Sequence, residues 1–472
     1  MAARIRPWPT LIGLLIAAGV VLRVVFLRGR WGFVDSDEAV VGLMARGFRH
    51  GDWRAFYWGQ HYASTQETAL VAVAGASRLA LKLVPCALSG VAALLTWRVG
   101  RRFLDERVAQ LAGLLFWVAP GTYVWWSTKE RGLYWSSLVL GLVLVLTAQR
   151  LVERSGGWRD GALFGAAAGL GVWASPTVLY FAVPAGLWVV ARRSPPLRWL
   201  GAAIPAAVLG ALPWLWHNVE NEWASLDRPP QPESVSFVTG LGRLLWRTLP
   251  MALNLRYPIS ERWLVPRLAA LVYLGLGVAL VVAAIRRRSR PVLLLAILAT
   301  FPLIYAWFPG AWFVGEGRYA LFVAPFLALA VAWLVRRPDV LLVIAALSAV
   351  ISFVVVRPMG SEYPRHLGPD IAALRRIGVD HAWADYWLSY RLTFESNGVI
   401  ESSSYGSSRD RALFDAVRRD RTPAVLFAPG DRRLARFVAT LDVPHRVTRT
   451  PHLLVVLIEG RVDPVDFPGL IP

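Results

Sequence analysis

The sequence predicts a mainly α-helical, polytopic membrane protein of about eleven transmembrane helices, with a small C-terminal extracytoplasmic α/β domain. Three observations predict it. The 472 residues are 56% hydrophobic and only 17% charged, against roughly 25% charge in a soluble domain. Apolar runs of about 20 residues, enough to cross a bilayer, recur along the chain. Between them, arginine clusters fall in every second loop, which is how cytoplasmic loops are marked.

The elements follow in order. A first span covers 9–27 and has a basic start with no small-residue cleavage site after it, so it reads as an uncleaved helix rather than a removed signal peptide. A long non-spanning segment, 29–82, comes next. Its second half, 64–80, reads as an amphipathic helix lying at the interface. Further spans are expected near 84–100, 108–126, 133–149, 160–175, 177–191, 199–216, 264–285, 291–308, 319–335 and 339–356. The cytoplasmic set of arginines is Arg4 and Arg6; Arg101, Arg102 and Arg107; Arg150, Arg154 and Arg159; Arg192, Arg193 and Arg198; Arg286, Arg287, Arg288 and Arg290; and Arg336 and Arg337. An odd number of spans then places the N-terminus inside, and segment 29–82 and everything past 357 outside. Residues 1–356 form the membrane module and 357–472 the outer domain. In the latter, helices are expected at Arg365–Ile377, Arg409–Arg419 and Arg432–Leu441, and strands at His381–Asp385, Ala424–Ala428 and Leu453–Ile458.

Composition also excludes. The net charge of +20 does not mark a nucleic-acid binder, because the basic residues sit in short clusters between apolar runs. Only Lys82 and Lys129 among the 51 basic residues are lysines. The single cysteine, Cys86, forms no intrachain disulfide, and no metal-ligand cysteine pattern is present. Most of the 23 tryptophans lie near span ends, as an aromatic belt requires.

The chemistry concentrates outside the membrane. Asp35, Asp37 and Glu38 fall within four positions beside the first span, costly unless solvated, paired or used. Asp35-Ser-Asp-Glu38 has the spacing of a capping box ahead of a helix from Ser36 to Arg49. That gives Asp35 and Glu38 structural work and leaves Asp37 without any. A solvated helix start is the plain alternative. Other outer segments carry Phe56-Tyr-Trp-Gly-Gln-His-Tyr-Ala-Ser-Thr-Gln-Glu67, Trp125-Trp-Ser-Thr-Lys-Glu-Arg-Gly132, the proline-rich Asp227–Pro232 and Gly315-Glu-Gly-Arg-Tyr319.

This layout resembles the GT-C membrane glycosyltransferases, which include the protein O-mannosyltransferases, the lipid A aminoarabinose transferases and the bacterial "family 39" members. The resemblance is carried by Asp37-Glu38-Ala-Val-Val-Gly-Leu-Met-Ala45, Trp58-Gly-Gln-His-Tyr62, Glu316-Gly-Arg-Tyr319 and Ala384–Ser396. It implies sugar transfer from a polyprenyl-phosphate donor to a glycan, lipid or protein acceptor on the outer face of a bacterial inner membrane. It also implies an inverting displacement with Asp37 as general base, Glu38 and Asp35 beside it, and no cofactor, although the carboxylates leave a divalent metal open.

The chemistry asks for the same groups. An attacking hydroxyl needs one carboxylate to take its proton. A departing lipid phosphate needs cations or N–H donors. Lys129, Arg131 and Arg318 sit at outer span ends, with Tyr319 and His61 near them in sequence. Snorkelling at the interface is the alternative for each cation, and Glu130 and Glu316 are expected to pair with them. Gln60, Tyr62 and Glu67 are the expected substrate-pocket residues. A lipid-linked glycan flippase or transporter would instead place ionisable groups at mid-membrane. An O-antigen ligase or polymerase would lean on late outer arginines and a histidine, and a scaffold would leave Asp37 dispensable.

Overall fold

The computed structural model describes residues 7–153, 157–192, 197–227, 235–287, 290–308, 313–359, 364–406, 408–466 and 470. Arg4, Arg6, Arg154, Arg193, Arg288 and the 228–232 proline stretch lie outside the described residues.

Every expected span contains a helix. They are α1 (Pro7–Arg28), then, after α2 (Ser36–Arg49) and α3 (Gln66–Val73), α4 (Arg78–Gly100), α5 (Glu106–Val118) with α6 (Gly121–Trp126), α7 (Tyr134–Glu153), α8 (Trp158–Ala174), α9 (Leu179–Arg192) and α10 (Leu197–Glu220). Short α11 (Phe237–Arg243) and α12 (Leu249–Ala252) precede α13 (Pro266–Arg286), α14 (Val292–Trp307), α15 (Ala324–Val335) and α16 (Pro338–Val356). Six helices among the described residues are long and apolar enough to cross a membrane: α1, α4, α7, α10, α13 and α16. The expected third span is two helices, because Pro120 brings no backbone N–H to continue α5. The interfacial helix expected over 64–80 is only α3, ended by Gly75 (φ +100°) and Ala76 (φ +50°).

Small residues let the spans approach. A Cβ on Gly165 or Gly169 of α8 would meet the backbone oxygens of Ala203 and Ala207 at 1.9 and 2.0 Å, close small-residue packing of α8 on α10. The arginine-rich helix ends gather at one end of the bundle. Arg102 pairs with Glu153 at 2.5 Å, Arg150 lies 3.9 Å from Asp160, and the Arg287 guanidinium donates to the carbonyls of Trp333 and Leu334.

The C-terminal domain is a three-layer α/β/α unit. Its strands are β1 (His381–Ala384), β2 (Glu401–Ser404), β3 (Ala424–Phe427), β4 (His445–Arg449) and β5 (Leu454–Ile458), in the order β2-β1-β3-β5-β4. The first three are parallel; β5 pairs antiparallel with both β3 and β4, so it alone runs against the other strands. On one face α17 (Gly368–Arg376) and α18 (Tyr386–Glu395) bury Leu374, Leu388 and Leu392 against Ala382, Leu426 and Val455. On the other, α19 (Arg411–Arg419) and α20 (Arg433–Ala439) bury Val417 and Phe437 against Val425, Phe427 and Val456. The expected elements appear; α18, β2 and β4 are additions. Strand β2 is Glu-Ser-Ser-Ser at a sheet edge, with no apolar alternation to reveal it.

Helix α18 docks this domain on α2. A Cβ on Gly42 would sit 2.4 Å from the Phe394 ring, so only glycine admits that contact. Arg46 lies over the same ring at 4.1 Å and donates to the Phe394 carbonyl and to Asn397 at 3.2 and 3.0 Å. Gly42→Leu is therefore expected to cost about 1–3 kcal/mol by overpacking and to unseat the outer domain. Tryptic cleavage after exposed Arg365 should accelerate; an unchanged rate would show that the contact does not hold the domain.

Candidate active site

The capping box forms as the spacing predicts. Asp35 accepts from the Glu38 N–H at 3.1 Å, and the Asp35 N–H donates to Glu38 Oε2 at 3.3 Å. Helix α2 runs from Ser36 to Arg49. Both acids then do more than cap.

The chain's two lysines converge on Glu38. Lys82 Nζ reaches Oε1 and Oε2 at 2.5 and 2.7 Å and the Phe33 carbonyl at 3.0 Å. Lys129 Nζ reaches Glu38 Oε2 at 3.0 Å, Asp35 Oδ2 at 3.3 Å and the same carbonyl at 2.8 Å. Each ammonium spends its three donors on three acceptors, as a compact lysine head allows. Arg131 takes Asp35 bidentately, Nη1 to Oδ1 at 3.1 Å and Nη2 to Oδ2 at 3.0 Å, and reaches Asp37 Oδ2 at 2.5 Å. Three carboxylates face three cations. Burial pushes the Asp35 carboxyl up, but Arg131, Lys129 and Lys82 outweigh it and hold it well below the usual carboxylate range.

Exposure separates the three acids. The Asp37 side chain is 24% exposed, Asp35 7% and Glu38 0%. Asp37 is also where the outer domain arrives. Asp385 N-caps α18 by accepting from the Trp387 N–H at 2.7 Å, and the next residue, Tyr386, donates its hydroxyl to Asp37 Oδ1. Tyr57 donates to the Asp37 carbonyl at 3.1 Å. Burial and the adjacent Asp37 push the Tyr386 phenol well up, so it stays a donor at neutral pH. Arg409 lies over the rings of Tyr386 and Tyr57 at 5.5 and 5.8 Å. Gly59 (φ +66°) makes room, since a Cβ there would meet the Arg409 backbone at 3.3 Å.

Arg318 completes the group. The guanidinium carbons of Arg131 and Arg318 both lie 5.5 Å from the buried Trp126 ring. Arg318 pairs with Glu316 at 3.0 Å, as expected, and keeps 23% exposure. Tyr62 is half-buried within the field of Arg409, Tyr319, Arg318 and Asp37. The structure thus brings together Asp37, Tyr62, Arg131, Arg318 and Tyr319, which the sequence singles out, with Tyr57, Tyr386 and Arg409, which it does not.

Three expectations change. Lys129 is fully buried beneath the acids, so it neutralises carboxylates instead of facing a phosphate. Glu67 is fully buried and accepts from the Ser136 N–H and O–H, both at 2.8 Å, so it lines no substrate pocket. Glu130 pairs with no cation among the described residues; its Oε1 accepts from the Gly132 N–H at 2.8 Å. His61 is exposed and shares a hydrogen bond with His217 at 2.9 Å; among the described residues no hydrogen bond or ion pair ties it to Asp37, Arg131 or Arg318. Gln60 is half-buried, its backbone N–H on the Tyr57 carbonyl at 3.0 Å. Among the described residues no group of three or more His, Cys, Asp or Glu is placed to hold a metal ion. Lysine and arginine already occupy Asp35 and Glu38, which leaves Asp37 as the one acid of α2 with open lone pairs.

No family model and no curated protein matches the chain. Solved structures do. The chain is similar to ArnT from Cupriavidus metallidurans bound to undecaprenyl phosphate, with a TM-score of 0.64 at 15% identity over 94% of this chain and 97% of that one. It is similar to the archaeal oligosaccharyltransferase AglB from Archaeoglobus fulgidus in complex with an inhibitory peptide and a dolichol-phosphate, TM-score 0.51 at 12% identity, covering 90% and 70%. It is also similar to the arabinofuranosyltransferase AftD from Mycobacteria, TM-score 0.50 at 12% identity, covering 96% of this chain and 42% of AftD. At these identities the likeness is one of fold alone: the chain shares the overall fold of ArnT, AglB and AftD.

Proposed function

We propose that the protein is a membrane glycosyltransferase that moves a sugar from a polyprenyl-phosphate donor to an acceptor hydroxyl on the extracytoplasmic face, with Asp37 as general base. One observation carries the reading: of three clustered acids, Asp37 is the most open, and it pairs with Arg131, which shares the Trp126 indole ring with Arg318. The likeness to ArnT, whose structure holds undecaprenyl phosphate, supports the donor class.

Each oxygen of Asp37 spends one lone pair, on Tyr386 or Arg131, and keeps a second for a substrate hydroxyl. In the reaction that hydroxyl gives its proton to Asp37 as its oxygen bonds to the anomeric carbon. The bond from that carbon to the phosphate oxygen breaks, and the electron pair leaves with the lipid phosphate. Inversion follows from attack opposite the leaving group. Arg318 and Arg409, each without a buried carboxylate clamp, are the cations for the departing phosphate. An apolar groove of about 620 Å³ along α13, lined by Leu255, Leu268, Val272, Leu327 and Val331, suits a polyprenyl chain. Lys82 and Lys129 stay behind the acids and balance their charge.

The test is sugar transfer by the purified protein from a polyprenyl-phosphate-linked donor; absence of any transfer or donor hydrolysis across donor sugars would overturn the reading. Within it, Arg318→Gln should weaken donor binding by about 10–100-fold, the loss of one charge-assisted contact of roughly 1.5–3 kcal/mol. Binding of undecaprenyl phosphate by calorimetry checks this, and unchanged affinity would move the phosphate elsewhere.

The membrane arrangement belongs to the same proposal. Eleven spans, with the N-terminus and the arginine-rich end in the cytoplasm of a bacterial inner membrane, put Asp37 and the C-terminal domain outside. Cysteines introduced in a Cys86→Ala background at exposed Asp52 and Arg411 should label from outside, and one at exposed Arg107 only from inside. The reverse pattern would invert the topology.

A further inference from the structure

Two buried acids have no part in this mechanism. Glu67 on α3 and Glu130 in the loop before α7 are both fully buried. Glu67 Oε1 is satisfied by Ser136, and Glu130 Oε1 accepts from the Gly132 N–H at 2.8 Å. The second oxygen of each has no donor among the described residues. Each carboxyl acts directly on the other, and neither is paired with a cation among the described residues. Two buried carboxylates so placed do not both ionise cheaply, and one proton between them would satisfy both open oxygens.

The charged groups around the pair are committed elsewhere. From α2, Glu38 accepts from the Glu130 N–H at 3.3 Å and takes both lysines. From α4, Lys82 is spent on Glu38 and the Phe33 carbonyl. Lys129 and Arg131, on either side of Glu130, point to Asp35, Asp37 and Glu38. From α7 come the Ser136 donors and the Tyr134 ring, which is turned to Trp126. No ion pair reaches Glu67 or Glu130 among the described residues.

We propose that Glu67 and Glu130 share one proton, and that this acid–carboxylate bond positions the 127–132 loop on α3 and so sets Lys129 and Arg131 against the acids of α2. They are positioning residues. Loss of the shared proton would leave two buried anions face to face. Glu130 would have to move, and its neighbours in the chain are the two cations that hold Asp35, Asp37 and Glu38. Burial pushes both carboxyls up, and Glu67 and Glu38 push Glu130 further. A carboxyl raised in the folded state gives stability that is complete below the ordinary range, about 4.3 for Glu, and is lost as pH rises through the raised value. The pair therefore sets an alkaline limit on the site.

Infrared difference spectra of the whole protein in water and deuterated water test this without reference to any reaction. A protonated carboxyl stretch is expected at neutral pH in the native protein, absent from Glu67→Gln and from Glu130→Gln. In Glu67→Gln the amide N–H replaces the proton, so the alkaline fall in thermal stability should shift upward by at least one pH unit relative to the native protein. Turnover, under the function proposed above, should follow the same shift. No acid stretch in the native protein, or an alkaline limb unchanged in both variants, would overturn the pairing. If Glu67→Gln does not fold, Glu130→Gln and the native spectrum decide. A native protein with the stretch and the limb but no transferase activity would leave the pair standing and remove the enzyme reading.

Discussion

Asp37→Asn is expected to cut turnover by about 10²–10⁴-fold, the usual worth of a positioned acid or base, while the protein folds and binds donor nearly as before. Asparagine keeps an oxygen that can accept from Tyr386. Arg131 keeps its bidentate grip on Asp35 at 3.0 and 3.1 Å. What is removed is the most open of the three acids of α2. Single-turnover transfer by the purified variant is the measurement, with thermal unfolding as the control for folding. Near-native transfer would remove Asp37 as the base. Tyr386→Phe belongs beside it: the phenol only orients Asp37, so a smaller loss, of about tenfold, is expected from one hydrogen bond of roughly 1.5 kcal/mol.

Glu38→Gln should have the largest effect on stability, about 3–5 kcal/mol, the cost of leaving a buried charge without its partner. Glutamine at the third helical position still suits a capping box, so the helix start survives and the loss isolates the charge. Lys82, 4% exposed, would keep only the Phe33 carbonyl and an amide oxygen. Lys129 would still have Asp35. Adding Lys82→Met to Glu38→Gln removes both charges and should recover much of the loss, since apolar replacement of a whole buried pair is often neutral or better. A double-mutant cycle by denaturation in detergent checks it. Additive losses would show that the two residues do not act as a pair.

Much of the fold was legible in the sequence because a membrane helix must satisfy its own backbone and present apolar side chains all round. That is a local property, readable from runs of residues. The helix α2, its start and its capping box were legible for the same reason, since Asp35 and Glu38 bond to each other within a single turn. The six long apolar helices and the alternating strands of the outer domain belong to this class. The polar edge strand β2 does not, because its partners lie on other strands and its own residues carry no period.

The sequence by itself determined the membrane helices, the place of the acids beside the first of them, and Asp37 as the acid that the cap does not use. The tertiary structure decided which groups meet those acids. Lys82 and Lys129 are 47 residues apart, and Tyr386 is 349 residues from Asp37. Their convergence depends on how α4, the 127–132 loop and α18 pack around α2. The scarcity of lysine was a signal, but only packing shows that both lysines serve one buried glutamate. The same holds for Glu67 and Glu130. The sequence shows Glu130 between two cations and Glu67 among uncharged neighbours; only the fold buries the two together, where burial makes the neutral form the cheaper one.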